Sequence, residues 1–217
     1  MSKNSLQNNL WNHRKDYSVD EIDFEHIPQN PYELFDIWYK KAEEQMKGSS
    51  ETNAMSVSTA DKDGNVSSRI VLLKEYSNEG FVFFTNYLSR KAKNISHNNK
   101  VALLFFWEIM QQQIRIEGVI EKISIEKSKE YFDSRPAESR ASALASPQSE
   151  VIQSVKKLKE DRDKILKSNR LDYPDFWGGY IVKPTAIEFW QGRPSRLHNR
   201  LKYVKDNGEW RVEILAP

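Results

Sequence analysis

The sequence predicts a mainly β domain, an antiparallel barrel with peripheral helices. Short β-rich runs follow one another across hairpin-type turns such as "DKDG", "SNEG" and "DNG". Helical segments are few and do not alternate with the strands, which disfavours a parallel doubly wound sheet. With 217 residues, of which 38% are apolar, the chain suffices for one sizeable domain.

The first half of the chain predicts one helix, a meander and a second helix. "NPYELFDIWYKKAEEQMK" begins with Asn30 as N-cap and Pro31 in the first turn, and its apolar residues recur at helical spacing. Residues 53–86 contain three β-rich runs separated by two turns, which indicates an antiparallel meander. "SRKAKNISHNN" predicts a short helix opened by Ser89, and residues 100–108 and 111–124 predict two further strands.

The second half predicts three helices and then three strands. "IEKSKEYFDSRP" is helical until Pro136 ends it, and residues 137–169 form two helices broken at Pro147. The Lys- and Glu-rich second helix is interpreted as a solvated face. "DYPDFWGG" is expected to be a loop, followed by the strands "YIVKPTAIEFWQG", "RLHNRLKYVKDNGEW" and "WRVEILAP". Residues 1–30, polar and irregular, predict a mobile N-terminal arm before a single domain at 31–217.

Composition excludes several classes of protein. The balance of 33 Lys+Arg against 31 Asp+Glu leaves a net charge of +2, which argues against nucleic acid or an anionic membrane as partner. The chain has no cysteine, which excludes disulfides and thiolate catalysis and suits a cytoplasmic location. The start lacks the apolar segment of a secretory signal, and no stretch approaches the ~18 apolar residues of a membrane span. The 4 histidines are scattered, so no metal site is expected.

A first anion-binding candidate is "FFTNYLSRKAKN", where a strand ends near Thr85 and a helix begins near Ser89. Helix N-termini present free N–H groups and a partial positive charge. Arg90 and Lys91 oppose that macrodipole, which favours a phosphate at this position. The alternative is a serine N-cap with incidental charges.

A second candidate is "SSRIVLLKEY", in which Arg69 and Lys74 bracket four apolar residues. Strand alternation places Arg69 on one face with Val71 and Leu73, and Lys74 on the other face with Ile70 and Leu72. The alternative is a core strand with charged ends.

A third candidate comprises Tyr131, Arg135 and Ser139, which are four residues apart. That spacing predicts one helical face, although Pro136 complicates the geometry. Arginine offers a fork of donors and the hydroxyls add two more, so the set suits a phosphate clamp. A solvated helix face is the alternative.

The fourth candidate is "EFWQGRPSRLHNR", residues 188–200. In an extended strand Arg196, His198 and Arg200 share one face, while Leu197 and Leu201 take the other. Three such side chains in one row repel each other unless an anion lies over them. With the aromatic planes of Trp190 and Tyr131, the four clusters indicate phosphorylated aromatic small molecules, two of which would use them all.

The motifs together resemble the pyridoxine/pyridoxamine 5′-phosphate oxidase family. "RIVLLK", "FFTNYLSRKA", "YFDSRP", "FWGG" and "EFWQG…RLHNR" occur in the family's order with similar gaps, and the likeness runs from about residue 14 to 217. The resemblance implies a split β-barrel and a homodimer with two FMN sites at the subunit interface. It also implies oxidation of pyridoxamine or pyridoxine 5′-phosphate to pyridoxal 5′-phosphate in vitamin B6 metabolism. In the reaction that the resemblance implies, hydride would pass from the substrate C4′ to the flavin N5, oxygen would be reduced to hydrogen peroxide, and the amine substrate would release ammonia.

The resemblance also assigns residues. The implied FMN contacts are Arg69, Ile70, Val71, Leu72, Leu73, Lys74, Phe84, Thr85, Ser89, Arg90, Lys91, Gln113, Gln148, Ser149, Trp190 and Arg200. The implied substrate-phosphate clamp consists of Lys74, Tyr131, Arg135 and Ser139. Arg196 and His198 are the implied catalytic residues over the substrate ring, and Arg14 to Tyr17 resemble a segment that folds over the substrate.

Three departures from the family pattern stand out: Phe84 replaces a common tyrosine, Asn199 replaces the more frequent aspartate, and Ile214 replaces arginine. The rival interpretation is a split barrel that binds flavin, haem or a vitamer without catalysis. The complete set of implied substrate-binding residues distinguishes the two interpretations, because a protein that binds only flavin has no use for them. A nucleic-acid module is disfavoured by the near-neutral charge.

Overall fold

A computed structural model describes residues 16–48 and 51–217 of the chain. The helices are α1 Pro31–Gln45, α2 Arg90–His97, α3 Ile125–Ser134, α4 Ala137–Ala145 and α5 Val155–Ser168. The strands are β1 Ala54–Ala60, β2 Val66–Leu72, β3 Glu75–Ser77, β4 Gly80–Asn86, β5 Lys100–Trp107, β6 Gln112–Lys122, β7 Trp177–Gln191, β8 Asn199–Asp206 and β9 Glu209–Ile214. A 3₁₀ turn, Pro194–Arg196, lies between β7 and β8.

All the strands belong to one antiparallel sheet of order β2-β1-β5-β6-β7-β4-β3, with β8 on β7 and β9 on β8. The 15-residue β7 branches the sheet, because residues 177–182 pair with β4 and residues 186–191 pair with β8. The N–H of Lys74 donates to the carbonyl of Val82 at 2.8 Å, which brings the end of β2 beside β4. The predicted antiparallel barrel with peripheral helices is confirmed.

The helix α1 closes one side of the barrel, as its sequence predicts. The Asn30 side chain accepts the N–H of Tyr32 at 3.0 Å, and Pro31 occupies the first turn. Phe35 is fully buried, and the ring of Trp38 lies edge-on to Phe189 with centroids 5.2 Å apart. The apolar stripe of α1 therefore completes the core beneath the sheet.

The loop predicted for "DYPDFWGG" is wrong for its last three residues. Trp177 already pairs with Asn86, and the ladder continues through Gly178 and Gly179. A Cβ on Gly178 would lie 2.3 Å from the hydroxyl oxygen of Tyr87, so the strand approaches this side chain too closely for any residue except glycine. The two glycines mark close packing inside a strand.

Proline divides the helical segment as expected. Arg135 has ψ 149° and ends α3, Pro136 follows, and α4 then begins. The predicted single face for Tyr131, Arg135 and Ser139 is therefore wrong, because the three residues lie on two helices and the junction between them. The break predicted at Pro147 is confirmed, since α4 ends before it and α5 begins at Val155.

Residues 16–30 run along the barrel without regular secondary structure. The N–H of Ser18 donates to the side-chain carbonyl of Gln111 at 2.8 Å, and the hydroxyl of Tyr203 donates to the carbonyl of Pro28 at 2.8 Å. Ile22 is 6% exposed. The mobile arm and its boundary at residue 30 stay predictions. Within the two described ranges, no helix has the length and apolarity needed to cross a membrane.

Candidate active site

A cleft of about 1190 Å³ opens between β2, the β4–α2 junction, the α3–α4 junction and α5. It brings together most residues of the first three predicted clusters. The predicted residues that line it are Arg69, Ile70, Val71, Leu72, Lys74, Phe84, Thr85, Arg90, Lys91, Tyr131, Arg135, Ser139, Gln148 and Ser149. Leu73 lies instead in the core at 4% exposure, and Ser89 is fully buried beneath the cleft.

The charge of this cationic cleft is strongly unbalanced. Among the described residues that line it, seven are cationic: Arg69, Lys74, Arg90, Lys91, Arg135, Lys159 and Arg162. Glu138 is the one carboxylate among those lining residues. Such a lining favours ligands that carry more than one negative charge.

Lys91 is the most buried of these cations, with 8% of its surface exposed. Its Nζ donates to Thr85 Oγ1 at 2.9 Å, Gln148 Oε1 at 2.7 Å and Ser89 Oγ at 3.2 Å. No carboxylate of the described residues pairs with it. Burial, reinforced by the charge of Arg69, lowers the pKa of Lys91 from 10.5 to about 8. The site thus holds a buried ammonium whose partners are all neutral oxygens.

Arg69 has the same kind of surroundings. Its guanidinium donates to the carbonyl of Val57 at 3.1 Å, to Thr59 Oγ1 at 2.8 Å and to Ser67 Oγ at 2.7 Å. Burial and the neighbouring charge of Arg90 lower the pKa of Arg69. Neutral acceptors hold its orientation and leave its charge unneutralised.

The predicted phosphate clamp lines the same cleft beside an aromatic stack. The ring of Tyr131 stacks on Phe84 with centroids 4.0 Å apart, and Phe84 stacks on Trp177 at 5.4 Å. The guanidinium of Arg135 lies 4.7 Å from the centroid of the Trp177 ring, and its Nη2 donates to the carbonyl of Ser139 at 3.1 Å.

Arg135 retains an unpaired donor beside the cleft. Its Nη1 is buried and has no hydrogen-bond partner. Burial is the main cause that lowers the pKa of Arg135. Leaving a buried charged donor unpaired is unfavourable, so this atom is suited to an anionic ligand.

A second group of predicted residues does not line the cationic cleft. Gln113 on β6 lies opposite Trp190 on β7, which lies opposite Arg200 on β8. With Tyr17, Arg196 and His198 they form what we call the outer-face cluster. The structure therefore divides the predicted site residues of one chain between two surfaces.

The strand predicted to carry Arg196, His198 and Arg200 on one face is wrong. Arg196 belongs to a 3₁₀ turn, and both Ser195 and Arg196 have left-handed backbone conformations, with φ of 55° and 62°. The strand β8 begins only at Asn199. Pro194 starts this turn, since its fixed φ suits a first helical position and it lacks the N–H that a ladder requires.

His198 packs against two aromatic rings. Its centroid is 4.6 Å from Trp190 and 5.9 Å from Tyr17. The Nδ1 atom accepts the backbone N–H of Arg193 at 3.1 Å, which assigns the proton of the neutral ring to Nε2. Burial and the charge of Arg196 lower the pKa of His198, so the neutral imidazole is favoured.

The ring of Tyr17 packs closely on Gly192. A Cβ on Gly192 would lie 2.8 Å from the Tyr17 ring, so this position of Tyr17 requires a glycine at residue 192.

Arg14, the other predicted residue of the N-terminal segment, lies outside the described residues. Sequence reasoning also missed Glu188, which lies beside the outer-face cluster and pairs with one of its members. This glutamate is 6% exposed and contacts the guanidinium of Arg200. Its place two residues before Trp190 on the same strand face was the available signal.

The outer face of the sheet also exposes large apolar side chains. Ile70 is 66% exposed, Leu104 37% and Phe106 51%. Phe106 lies opposite Gln113, and Leu104 lies opposite Arg115, so these side chains continue the rows of the outer-face cluster. Within residues 16–48 and 51–217, no group of three or more His, Asp or Glu side chains could hold a metal ion.

Solved structures share this architecture. The chain superposes on PhzG from Burkholderia lata 383, in complex with tetrahydrophenazine-1-carboxylic acid, with a TM-score of 0.87, 26% identity and coverage of 94% of this chain and 100% of that one. A pyridoxamine 5′-phosphate oxidase-related, FMN-binding protein from Nostoc punctiforme shares the fold, with a TM-score of 0.69, 14% identity and coverage of 88% and 100%. The chain is thus a split-barrel protein of this structural class.

Sequence comparisons identify the family. The family model for pyridoxamine 5′-phosphate oxidase matches residues 42–165, and that for the pyridoxine 5′-phosphate oxidase C-terminal dimerisation region matches residues 177–217. A pyridoxine/pyridoxamine 5′-phosphate oxidase from Flavobacterium johnsoniae is 45% identical, over 96% of this chain and 99% of that protein. The enzyme of the same name from Salinibacter ruber is 43% identical, over 94% of this chain and 97% of that protein. The chain belongs to the pyridoxine/pyridoxamine 5′-phosphate oxidase family. The predictions of fold, family and oxidoreductase function are confirmed.

Proposed function

We propose that the chain oxidises pyridoxamine and pyridoxine 5′-phosphate to pyridoxal 5′-phosphate, with FMN held in the cationic cleft beside the substrate. One observation carries the proposal. The cleft contains two groups of phosphate-type donors, one around the buried Lys91 and one around the half-buried Arg135, and neither cation has an anionic partner among the described residues. A flavin mononucleotide and a phosphorylated substrate together provide two phosphates.

The group around Lys91 suits the FMN phosphate. Arg90 and Lys91 lie at the start of α2, where backbone N–H groups are also free, and Thr85 contributes a hydroxyl. The donor set contains nitrogens and hydroxyls but no carboxylate, which is the composition that a phosphate requires. The cleft continues along Arg69, Ile70, Val71, Leu72, Lys74 and Phe84, where the rest of the cofactor would lie.

The group around Arg135 suits the substrate phosphate. Arg135, Tyr131, Ser139 and Lys74 all line the cleft, and Arg135 Nη1 is a donor without a partner in the chain. The stack of Tyr131 on Phe84 fixes the tyrosine ring and therefore the direction of its hydroxyl.

FMN supplies a hydride acceptor when it is bound, so the side chains need only bind, orient and exclude water. Arg196 and His198 would contact the substrate ring, and Tyr17 would cover it. The lowered pKa of His198 keeps an uncharged ring beside Arg196, with its N–H at Nε2 available as a donor. Ring contacts of this kind act on orientation in the transition state.

We also propose that the active unit is a homodimer in which the outer-face cluster of one copy completes the cationic cleft of the other. Gln113, Trp190 and Arg200 are absent from the cleft of their own chain, which supports this arrangement. The exposed apolar side chains Leu104 and Phe106 beside them suit a subunit interface. The match of residues 177–217 to a dimerisation region gives further support.

Steady-state turnover tests the proposed reaction. The purified protein, supplied with FMN and pyridoxamine 5′-phosphate in air, should form pyridoxal 5′-phosphate and hydrogen peroxide in equal amounts. Arg135→Ala should raise KM strongly, whereas Arg162→Ala should not, because the Arg162 guanidinium already pairs with Asp163. A protein that binds flavin but forms neither product would support the rival, non-catalytic function.

The proposal also includes a single domain at residues 31–217 and a cytoplasmic location. The lack of cysteine supports the cytoplasmic location.

A further inference from the structure

We propose that Glu188 is a positioning residue that fixes the guanidinium of Arg200 for the flavin, an inference that rests on the proposed role of Arg200 in FMN binding. Glu188 lies on β7 with 6% of its surface exposed. Few glutamates are buried so deeply without paired charges. Its partners therefore indicate what the carboxylate does.

Both oxygens of Glu188 are engaged by arginines. Oε1 accepts from Arg200 Nε at 2.9 Å and from Arg200 Nη2 at 2.8 Å. Oε2 accepts from Arg115 Nη1 at 3.1 Å. Arg115 lies directly opposite Glu188 across the β6–β7 ladder, and Arg200 lies opposite Trp190 across the β7–β8 ladder. The sheet register thus places one carboxylate between two guanidinium groups.

The C-terminal segment holds Arg200 from the other side. Its Nη1 donates to the carbonyl of Ala216 at 2.9 Å, and its own carbonyl accepts the N–H of Leu215 at 3.0 Å. A guanidinium has five N–H donors, and these contacts engage three of them. Two donors remain for a ligand, and their directions are set by the other three. A group oriented in advance loses less entropy when it binds.

Arg200 could act on FMN through its charge or through the direction of its donors, and these two roles predict opposite effects of neutralising Glu188. If Arg200 attracted an anionic flavin only through its charge, the carboxylate would weaken binding, and its neutralisation would strengthen binding. If Arg200 acts through direction, neutralisation releases the guanidinium and weakens binding. The sign of the change in FMN affinity therefore separates the two roles.

The test is a double-mutant cycle on the FMN dissociation constant, measured by quenching of flavin fluorescence on addition of apo-protein. Glu188→Gln should raise Kd about tenfold and Arg200→Ala about ten- to a hundredfold. The double variant should match Arg200→Ala within a factor of about two, because Glu188 acts through Arg200. Additive effects, or tighter binding by Glu188→Gln, would overturn the proposal. So would an unchanged Kd in Arg200→Ala.

Glu117→Gln is the matched control. The carboxylate of Glu117 also pairs with Arg115, because Glu117 Oε1 lies 3.2 Å from Arg115 Nη2. Glu117 is exposed, however, and its carboxylate makes no contact with Arg200. Its Kd should stay within a factor of about two of the parent value. If Glu188→Gln does not fold, deletion of Ala216 and Pro217 removes the other tether; it should raise Kd severalfold in the parent and have no effect in Arg200→Ala.

The outcomes also separate this inference from the proposed function. A parent protein that binds no FMN would contradict the proposed function itself. A parent that binds FMN, with Arg200→Ala weakened and Glu188→Gln unchanged, would contradict the positioning role alone.

Discussion

Replacing Lys91 with methionine should weaken FMN binding and leave the apo-protein at least as stable. The pKa of Lys91 falls from 10.5 to about 8 because the side chain is buried without an anion. A shift of that size corresponds to about 3 kcal/mol, which the apo-protein loses by keeping the ammonium charged at neutral pH. The phosphate can recover this free energy only if the ammonium is present, so Lys91→Met should raise the FMN Kd about ten- to a hundredfold.

The direction of the pH effect follows from the lowered pKa. A lysine whose pKa is lower in the folded than in the unfolded state destabilises the fold while it stays charged. This destabilisation is fully present below about pH 8 and disappears as the pH rises from about 8 towards 10.5. A bound phosphate raises the pKa again, so binding takes up a proton above about pH 8. The Kd of the parent protein should then increase by up to about tenfold per pH unit, and that of Lys91→Met should not.

The assay is titration of apo-protein with FMN at about pH 7 and about pH 9.5, with thermal unfolding of each apo-protein alongside. Lys93→Met is the control, because Lys93 lies on the same helix but pairs with Glu150 in solvent. Its Kd should remain within a factor of about two of the parent value. An unchanged Kd in Lys91→Met, or a parent Kd independent of pH, would refute the assignment of Lys91 to the phosphate.

Four further substitutions test the remaining assignments. Arg90→Ala should raise the FMN Kd about ten- to a hundredfold and change the substrate KM less; a larger change in KM would contradict its place at the FMN phosphate. Arg196→Ala and His198→Ala should retain flavin on a desalting column but lower both kcat and kcat/KM, and loss of flavin with full turnover once FMN is restored would be the opposite result. Phe106→Glu should place a charge in the proposed subunit interface, so sedimentation should detect monomers that bind FMN poorly; a monomer that binds FMN tightly would refute the shared site.

The parts of the fold that sequence predicts are those governed by local chemistry. Asn30 and Pro31 start α1 as expected, because capping and proline effects act within a single turn. Pro136 ends α3 for the same reason. Ser89 precedes α2 as expected, although its side chain makes no capping hydrogen bond. The hairpin turns likewise depend on residues adjacent in sequence.

The parts that sequence does not predict depend on long-range pairing. Whether "FWGG" is loop or strand depends on β4 lying alongside it, and nothing local in the segment specifies that partner. The two left-handed residues at Ser195 and Arg196 place Arg196 away from the expected strand, although neither is glycine or asparagine. Glu188 meets Arg115 only through the register of β6 on β7.

The likeness to the oxidase family named most of the residues that line the cationic cleft together with Gln113, Trp190 and Arg200, but it did not say which residue lies on which surface. Gln113, Trp190 and Arg200 lie on adjacent strands of the outer face because two ladders, β6–β7 and β7–β8, align them. That division is a property of the folded chain, and it is the main structural support for a site shared between two copies.

Anaerobic mixing of the FMN-loaded protein with pyridoxamine 5′-phosphate measures the proposed reaction most directly. The visible flavin absorption should bleach in a single turnover, with one pyridoxal 5′-phosphate formed per flavin, and it should return when oxygen is admitted. Arg135→Ala should bleach much more slowly at the same substrate concentration, because its phosphate contact is lost. Flavin that stays oxidised in the parent protein under saturating substrate would contradict the proposed oxidase reaction.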